Sequence, residues 1–289
     1  MDKREIMKQV TLPDGTKVPA IGQGTWYLGE TSEKEQAEIE ALRTGIERGL
    51  TLIDTAEMYG EGKAEILVGK VIKKYDRDKL FLVSKVYPWN AGGSRIFESC
   101  AASLKRLGTD YLDLYLLHWR GTIPLDETVY AMEELMRRGW IRRWGVSNFD
   151  TEDMEELFSL PGGSGCAVDQ VLYHAAARGI EYDLLPWLRA RHVPAMAYCP
   201  LAQAGQLKKG LWSDPVLRRI ADSHHGTVSQ VLLAFVIRSG KVIAIPRSGD
   251  KAHTLLNADA ASLRLTEEEL AAIDARFPAP RRKVPLEMV

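Results

Sequence analysis

The chain has 289 residues, with 38 basic and 39 acidic side chains and a formal net charge of −1. This balance gives no global field that would attract nucleic acid or an anionic membrane, so neither is expected as a partner. Cys100, Cys166 and Cys199 have no close spacing, which argues against a disulfide framework or a zinc knuckle and favours a reducing compartment. The charged N-terminus and the lack of any run of about 18 apolar residues lead us to expect a cytoplasmic protein without a membrane span.

The first predicted element is a β-hairpin over residues 9–18, because Asp14 and Gly15 lie between two short β-prone arms. Eight largely apolar runs follow, as expected for parallel strands that are covered on both faces. These predicted strands are residues 20–25, 51–56, 80–86, 112–118, 142–147, 167–172, 194–199 and 241–246.

Helical patterns separate the predicted strands, and apolar residues recur at helical spacing in residues 35–50, 63–75 and 125–138. This repeated alternation of strand and helix predicts an α/β fold of the (β/α)₈ TIM-barrel type. The spacing between strands leaves no room for an independent second domain, so residues 1–289 are expected to form a single domain.

Two further helical signals lie near the end of the chain. The interval 214–240 is long enough for two helices, broken near Gly226. A capping box formed by Thr266 and Glu269 predicts an extra C-terminal helix after the last strand.

Reactive side chains follow three of the predicted strands. Asp54 and Tyr59 lie at and just after the end of the second, Lys85 lies near the end of the third, and His118 ends the fourth. Active sites of β/α barrels lie at the carboxyl ends of the strands, so these four groups should converge. In their order and in the segments around them, including 144–148, they resemble the tetrad of the aldo-keto reductases, the nicotinamide-dependent carbonyl reductases.

The resemblance implies a role for each member of the tetrad. Tyr59 would protonate the developing alkoxide, although a tyrosine with an ordinary pKa near about 10 is a poor acid at neutral pH. Lys85 is expected to lower that pKa, Asp54 to hold and balance Lys85, and His118 to orient the substrate oxygen. Each residue alone is more simply interpreted as structural; their joint order favours the functional interpretation.

The other motifs considered predict neither a metal site nor a Rossmann fold. His224 and His225 are adjacent and cannot share a helical face as metal ligands do, so no metal is expected. Gly22 and Gly24 begin like a dinucleotide fingerprint, but Tyr27 occupies the third glycine position and no helix opens there.

The resemblance implies NADPH as the cofactor and assigns several residues to its nicotinamide half. Thr25 would lie near the nicotinamide, and Tyr198 would stack on its ring. Ser147, Asn148 and Gln170 would hydrogen-bond its carboxamide. The resemblance further implies that Cys199, Leu201 and Gln203, which come after Tyr198 in the chain, contact the cofactor. The loop 201–205 would cover its pyrophosphate.

Residues 245–250 end the eighth predicted strand and open a helix, a position suited to phosphate. The resemblance implies that Arg247 and Ser248 contact the 2′-phosphate of NADPH and that Asn257 meets the adenine. His253 stands where the family frequently has arginine, so the preference for NADPH over NADH is expected to be modest.

The substrate pocket is expected to have an aromatic lining of Trp26, Tyr27, Trp89 and Trp119, suited to a small aldehyde or dicarbonyl. About a dozen residues follow the last predicted helix, so an open pocket without a long C-terminal loop is expected.

These features predict a monomeric oxidoreductase that reduces aldehydes or activated ketones to alcohols by hydride transfer from NADPH, with NADH also accepted. The alternative is a cofactor-binding redox sensor or regulatory subunit on the same barrel, as in the potassium-channel β subunits, which also resemble aldo-keto reductases.

Overall fold

The computed structural model describes residues 7–202 and 206–289, the side chains of 206–209 excepted. Its first element is the predicted β-hairpin, in which β1 (Gln9–Thr11) pairs antiparallel with β2 (Lys17–Pro19). Gly15 in the turn has φ +87°, a left-handed conformation that glycine adopts without steric cost. The hairpin prediction is therefore confirmed.

Eight parallel strands form the central sheet and follow one another in chain order. The first and last also meet, because Gly22 N–H donates to the Ala244 carbonyl at 2.8 Å and Ala244 N–H donates to the Ala20 carbonyl at 2.8 Å. The sheet thus closes into the predicted (β/α)₈ barrel, and each predicted strand contains an observed one. The strands are β3 (Gln23–Gly24), β4 (Leu52–Asp54), β5 (Phe81–Val86), β6 (Leu114–Leu117), β7 (Trp144–Ser147), β8 (Asp169–Leu172), β9 (Ala195–Tyr198) and β10 (Val242–Ala244).

The hairpin packs against the amino ends of the strands. Arg143, which immediately precedes β7, pairs through Nε with the Asp14 carboxylate at 2.6 Å and donates from Nη2 to Thr16 Oγ1 at 2.6 Å. The opposite rim, where the carboxyl ends of the strands lie, is left to the loops that carry the site.

Helices surround the barrel at the predicted places. Two of them, α8 (Pro215–Ser223) and α9 (Val228–Val236), occupy the interval 214–240, and the extra C-terminal helix is α11 (Glu267–Arg276), with its capping box at Thr266. The helix α7 (Gln206–Ser213) was not predicted. The helices of the described chain are α1 (Ser32–Glu47), α2 (Lys63–Ile72), α3 (Arg95–Leu107), α4 (Leu125–Arg137), α5 (Thr151–Ser159), α6 (Leu184–Ala190), α7 (Gln206–Ser213), α8 (Pro215–Ser223), α9 (Val228–Val236), α10 (Lys251–Ala260) and α11 (Glu267–Arg276).

The core of the barrel is apolar, and its strands are buried along their whole length apart from the half-buried end of β9. Polar residues in the strands are therefore exceptions that need partners. No helix in the described part of the chain is both long and apolar enough to cross a bilayer.

Candidate active site

Lys85 joins two other predicted catalytic groups, Asp54 and Tyr59, at the carboxyl end of the barrel. Its Nζ donates to Asp54 Oδ2 at 2.7 Å, to Tyr59 Oη at 2.9 Å and to the Thr55 carbonyl at 2.9 Å. Lys85 is completely buried and Asp54 is 1% exposed, so the ion pair lies in a dry interior. A buried ammonium with three acceptors is fully satisfied, which fixes the phenol beside it.

Burial governs the protonation of this group. It raises the pKa of Asp54 and lowers the pKa of Lys85, and the ion pair between them opposes both shifts. Burial, followed by the Asp54 carboxylate, also raises the pKa of Tyr59 well above its ordinary value of 10.0. The net shift of the Tyr59 pKa is therefore upward, opposite to the lowering expected from Lys85, because a phenolate in this buried site would not be hydrated.

His118 completes the predicted tetrad at the end of β6. Its ring stands edge-on to the Tyr59 ring, with the ring centroids 5.8 Å apart. Burial and the nearby Lys85 charge lower the pKa of His118 to about 2, so the imidazole is neutral. Its Nδ1 is buried without a hydrogen-bond partner among the described residues.

The residues expected to hold the carboxamide form one network next to the tetrad. Gln170 Nε2 donates to Asp54 Oδ1 at 2.8 Å, and Ser147 Oγ donates to the Gln170 carbonyl at 2.8 Å. Asn148 Nδ2 donates to the His118 carbonyl at 3.1 Å, and its Oδ1 accepts from Tyr198 Oη at 2.8 Å. The second oxygen of Asp54 is thus also satisfied.

A cavity of about 770 Å³ opens above this network and extends to the amino end of α10. Its walls include most of the residues predicted for cofactor and substrate. Lys85 lies behind the wall, whereas the other predicted residues on it are Thr25, Trp26, Tyr27, Asp54, Tyr59, His118, Trp119, Ser147, Asn148, Gln170, Tyr198, Cys199, Leu201, Arg247, Ser248, His253 and Asn257.

Two predicted residues differ from this pattern. Trp89 does not line the cavity but stands at its rim, half exposed and stacked on Tyr87 with the ring centroids 4.3 Å apart. It meets Trp119 edge-on with the centroids 5.8 Å apart. Gln203, and with it the end of the loop expected to cover the pyrophosphate, lies outside the described residues.

The far end of the cavity carries two basic side chains beside the carboxylates of Glu38 and Asp250. Arg247 Nε donates to the Trp26 carbonyl at 3.2 Å, which holds the guanidinium at the closure between β3 and β10. Asp250 caps α10 by accepting from His253 N–H at 2.9 Å, and the Ser248 hydroxyl donates to the Asp250 carbonyl at 2.9 Å. Lys34 from α1 lines the same cavity, a cation that the sequence did not single out.

The segment after α11 returns to the cavity. Lys283 Nζ pairs with Glu152 Oε1 at 2.7 Å, and Val289 lines the cavity wall. Burial raises the pKa of the Tyr198 hydroxyl on the same wall. The short segment after α11 therefore contributes to the cavity wall.

The two ends of the cavity differ in the way that a dinucleotide requires. One end offers amide and hydroxyl groups around the Tyr59 phenol, and the other offers a guanidinium at a helix N-terminus, where phosphate is favoured. The volume lies within the range of about 300 to 1,000 Å³ usual for ligand pockets. No group of three metal-ligating side chains occurs among the described residues.

Comparison with known proteins agrees with this geometry. The sequence model of the Aldo/keto reductase family matches residues 20–276. Methylglyoxal reductase YeaE of Escherichia coli (strain K12) is 54% identical over 282 residues, covering 98% of this chain and 99% of that protein. Glyoxal reductase of Bacillus subtilis (strain 168) is 34% identical over 268 residues, covering 92% of this chain and 91% of that protein.

Solved structures agree as well. A crystal structure of an aldo/keto reductase from Klebsiella pneumoniae in complex with NADP and acetate is 54% identical, with a TM-score of 0.95 over 98% of this chain and all of that one. A second structure of an aldo-keto reductase from Klebsiella pneumoniae, in complex with NADPH, matches equally well. Fold, site and sequence together place this chain in the aldo/keto reductase family, and it is an oxidoreductase of that family.

Proposed function

We propose that this protein reduces small aldehydes and activated ketones to alcohols, with NADPH as the hydride donor and Tyr59 as the proton donor. The observation that carries the proposal is the contact of 2.9 Å between Tyr59 Oη and Lys85 Nζ at the wall of a cavity that also exposes His118. Carbonyl reduction needs a proton donor for the alkoxide that forms as hydride arrives, and this pair supplies one.

The protonation state of Tyr59 suits an acid. Because burial raises its pKa, the phenol keeps its proton at neutral pH until a stronger base forms beside it. Lys85 donates to the same oxygen and therefore stabilises the phenolate that remains after the proton leaves. Asp54 keeps the ammonium charged through its ion pair of 2.7 Å.

His118 has a different role, because its neutral imidazole does not compete as an acid. A ring N–H facing the cavity would donate to the carbonyl oxygen and fix its direction toward Tyr59. With the reacting oxygen held between two donors, the proton has a short path to travel.

NADPH is supported as the cofactor by two independent observations. The Klebsiella pneumoniae relatives contain NADP or NADPH, and Arg247 offers a fixed guanidinium at the far end of the cavity. When bound, NADPH supplies the hydride. Ser147, Asn148 and Gln170 would orient its carboxamide, and Tyr198 would pack on its ring.

Small 2-oxoaldehydes are the substrates that we propose first. Trp26 and Trp119 line the cavity near Tyr59 and His118, so the carbonyl end meets an apolar aromatic surface with two polar groups. Two relatives that match over nine-tenths of the chain are named as methylglyoxal and glyoxal reductases.

The proposal is tested by mixing the purified protein with NADPH and a panel of aldehydes, ketones and 2-oxoaldehydes, and following the loss of nicotinamide absorbance. We expect sustained turnover, fastest on 2-oxoaldehydes. Tyr59→Phe should lower turnover by on the order of 10²-fold or more while NADPH binding, followed by fluorescence, stays within about twofold. Tight NADPH binding with no turnover on any carbonyl would instead support the redox sensor, and full turnover by Tyr59→Phe would remove Tyr59 as the acid.

A further inference from the structure

The turn that follows Tyr59 has an unusual backbone. Gly60, Glu61 and Gly62 are all left-handed, with φ of 56°, 55° and 87°, and α2 begins at the next residue. Glycine adopts this conformation readily, but for Glu61 it costs on the order of 1 kcal/mol and persists only where surrounding contacts impose it. The position of Tyr59 therefore depends on what holds the start of α2.

Glu65, in the first turn of α2, provides such an anchor. Its side chain is completely buried, and its carboxylate accepts from Ser84 Oγ at 2.6 Å and from Arg106 Nε at 2.5 Å. Burying a carboxylate costs several kcal/mol unless it is paired and hydrogen-bonded, and an apolar replacement often serves stability equally well. The presence of a buried charge at Glu65 is thus better explained by the groups that it holds in place than by a gain in stability.

Those positions belong to both members of the acid pair. Ser84 immediately precedes Lys85 on β5 and points to the opposite face of the sheet, toward α2. Arg106, from α3, lies against the turn itself, since a Cβ on Gly62 would come within 2.6 Å of Arg106 Cδ. One carboxylate therefore connects the strand of the ammonium, the helix that follows the phenol, and the side chain that braces the turn between them.

We propose that Glu65 is a positioning residue for catalysis, which acts through Ser84 and Arg106 to hold Tyr59 Oη at 2.9 Å from Lys85 Nζ. This inference rests on the proposed function, in which that contact delivers the proton. Glu65 does not line the cavity, so its effect should appear in turnover rather than in binding.

The charge of Glu65 gives the inference a second observable. Burial lowers the pKa of Lys85, and Asp54 and, more weakly, Glu65 oppose that shift. The other groups that face Lys85 are the Tyr59 phenol, which accepts from it, and the neutral His118 ring. Removing the Glu65 charge should therefore let Lys85 lose its proton at a lower pH.

The experiment compares Glu65→Gln and Ser84→Ala with Glu35→Gln, a control that removes an exposed ion pair of 2.8 Å between Glu35 on α1 and Lys70, which lies on α2 like Glu65. For Glu65→Gln we expect kcat to fall by on the order of tenfold or more, because small misplacements of reacting groups have effects of this size. KM and the NADPH dissociation constant should change by less than about twofold. The basic limb of its pH-rate profile should move to lower pH, whereas Ser84→Ala, which keeps the charge, should lose turnover without that shift.

Wild-type kcat together with an unchanged basic limb in folded Glu65→Gln would overturn the inference. If that variant does not fold, wild-type kcat in Ser84→Ala would overturn it instead. Tyr59→Phe, measured alongside, separates the two proposals: if it is inactive while both new variants behave like Glu35→Gln, only the role of Glu65 fails. If Tyr59→Phe is fully active, the proposed acid fails and the positioning role fails with it.

Discussion

Asp54 and Asp169 are both buried aspartates at strand positions, but only Asp54 has hydrogen-bond partners for both carboxylate oxygens. Asp54 has Lys85 Nζ at 2.7 Å and Gln170 Nε2 at 2.8 Å on its two oxygens. Asp169, next to Gln170 on β8, has no hydrogen-bond partner for either oxygen among the described residues. Burial therefore raises the pKa of Asp169 well above its ordinary value.

This difference makes Asp169 a source of pH-dependent stability. In the folded state its carboxyl keeps its proton to a higher pH than in the unfolded chain, where it ionises above a pH of about 3.9. The unfolded state thus binds fewer protons above that pH, and Asp169 lowers the free energy of unfolding by about 1.4 kcal/mol per pH unit until the folded-state pKa is reached.

We predict that Asp169→Asn removes this loss. Urea unfolding at pH 5, 6, 7 and 8 should show that the free energy of unfolding of the variant, relative to that of the wild type, increases as pH rises. The amide itself does not titrate, so any other effect of the substitution should change this difference equally at every pH. Asp110→Asn, which removes an exposed carboxylate, is the control and should leave the slope unchanged. Parallel curves for Asp169→Asn and the wild type would mean that Asp169 is ionised in the fold.

The sequence could place the tetrad but not its protonation. Asp54, Tyr59, Lys85 and His118 follow strands that their apolar neighbours predict, so their convergence follows from the barrel. The pKa of Tyr59 depends on how completely water is excluded around it, which no local pattern records. That is why the predicted direction of its pKa was wrong.

At the scale of elements, the barrel strands were predictable and some packing details were not. Each strand is a short apolar run, and its burial on both faces explains that composition. The helix α7 contains Gly210 and few apolar residues, so its own pattern does not indicate a helix. Leu211 of this helix is 2% exposed, so the helix is stabilised by packing of this side chain against the rest of the protein.

Gln23 links a strand to the helix packed on it through a contact that the sequence pattern does not predict. It lies in β3, and its amide donates to the Leu42 carbonyl in α1 at 3.2 Å and to the Leu50 carbonyl at 2.9 Å. Gly45 on α1 leaves the space for this amide, because a Cβ there would overlap it. The glycine in the middle of a helix is explained by that contact.

We predict that Gly45→Ala destabilises the protein by about 1 to 3 kcal/mol, since the displaced Gln23 amide and the overpacked interface outweigh the gain in helix propensity of about 1 kcal/mol. Gly210→Ala on α7 is the matched control, because a Cβ there meets nothing within 4 Å. It should be neutral or stabilising by up to about 1 kcal/mol. Urea unfolding midpoints decide the matter, and stabilisation by both alanines would show that Gln23 can move without cost.

At the scale of the whole molecule, closure of the barrel creates the cofactor end of the cavity. The bond from Gly24 N–H to the Pro246 carbonyl at 3.1 Å brings the start and the end of the barrel together, and α1 packs on α10. Lys34 and Arg247 thereby line one cavity although they are far apart in sequence. The sequence around Arg247 predicted that this residue lies at the cofactor site. The sequence around Lys34 gives no such indication, because Lys34 reaches the cavity only when the barrel closes.

Because this end depends on the closed fold, cofactor binding should stabilise the whole chain. A ligand at 100 times its dissociation constant raises the free energy of unfolding by about 2.7 kcal/mol. We predict that NADPH raises the melting temperature more than NADH does at equal concentration. Arg247→Ala should weaken NADPH binding by about 1.5 to 3 kcal/mol, the loss of a charge-assisted hydrogen bond, and nearly abolish the difference between the cofactors.

His253→Arg should act in the opposite direction and widen the difference, since a second guanidinium on the wall of this cavity adds a fixed positive charge. Lys251→Ala is the control, because Lys251 also lies on α10 but pairs with Glu40 at 2.8 Å and does not line the cavity. Its thermal shifts with both cofactors should match the wild type. If Arg247→Ala instead loses NADH and NADPH protection equally, residue 247 supports the cavity wall and the 2′-phosphate is recognised by other residues, with Lys34 the first to replace next.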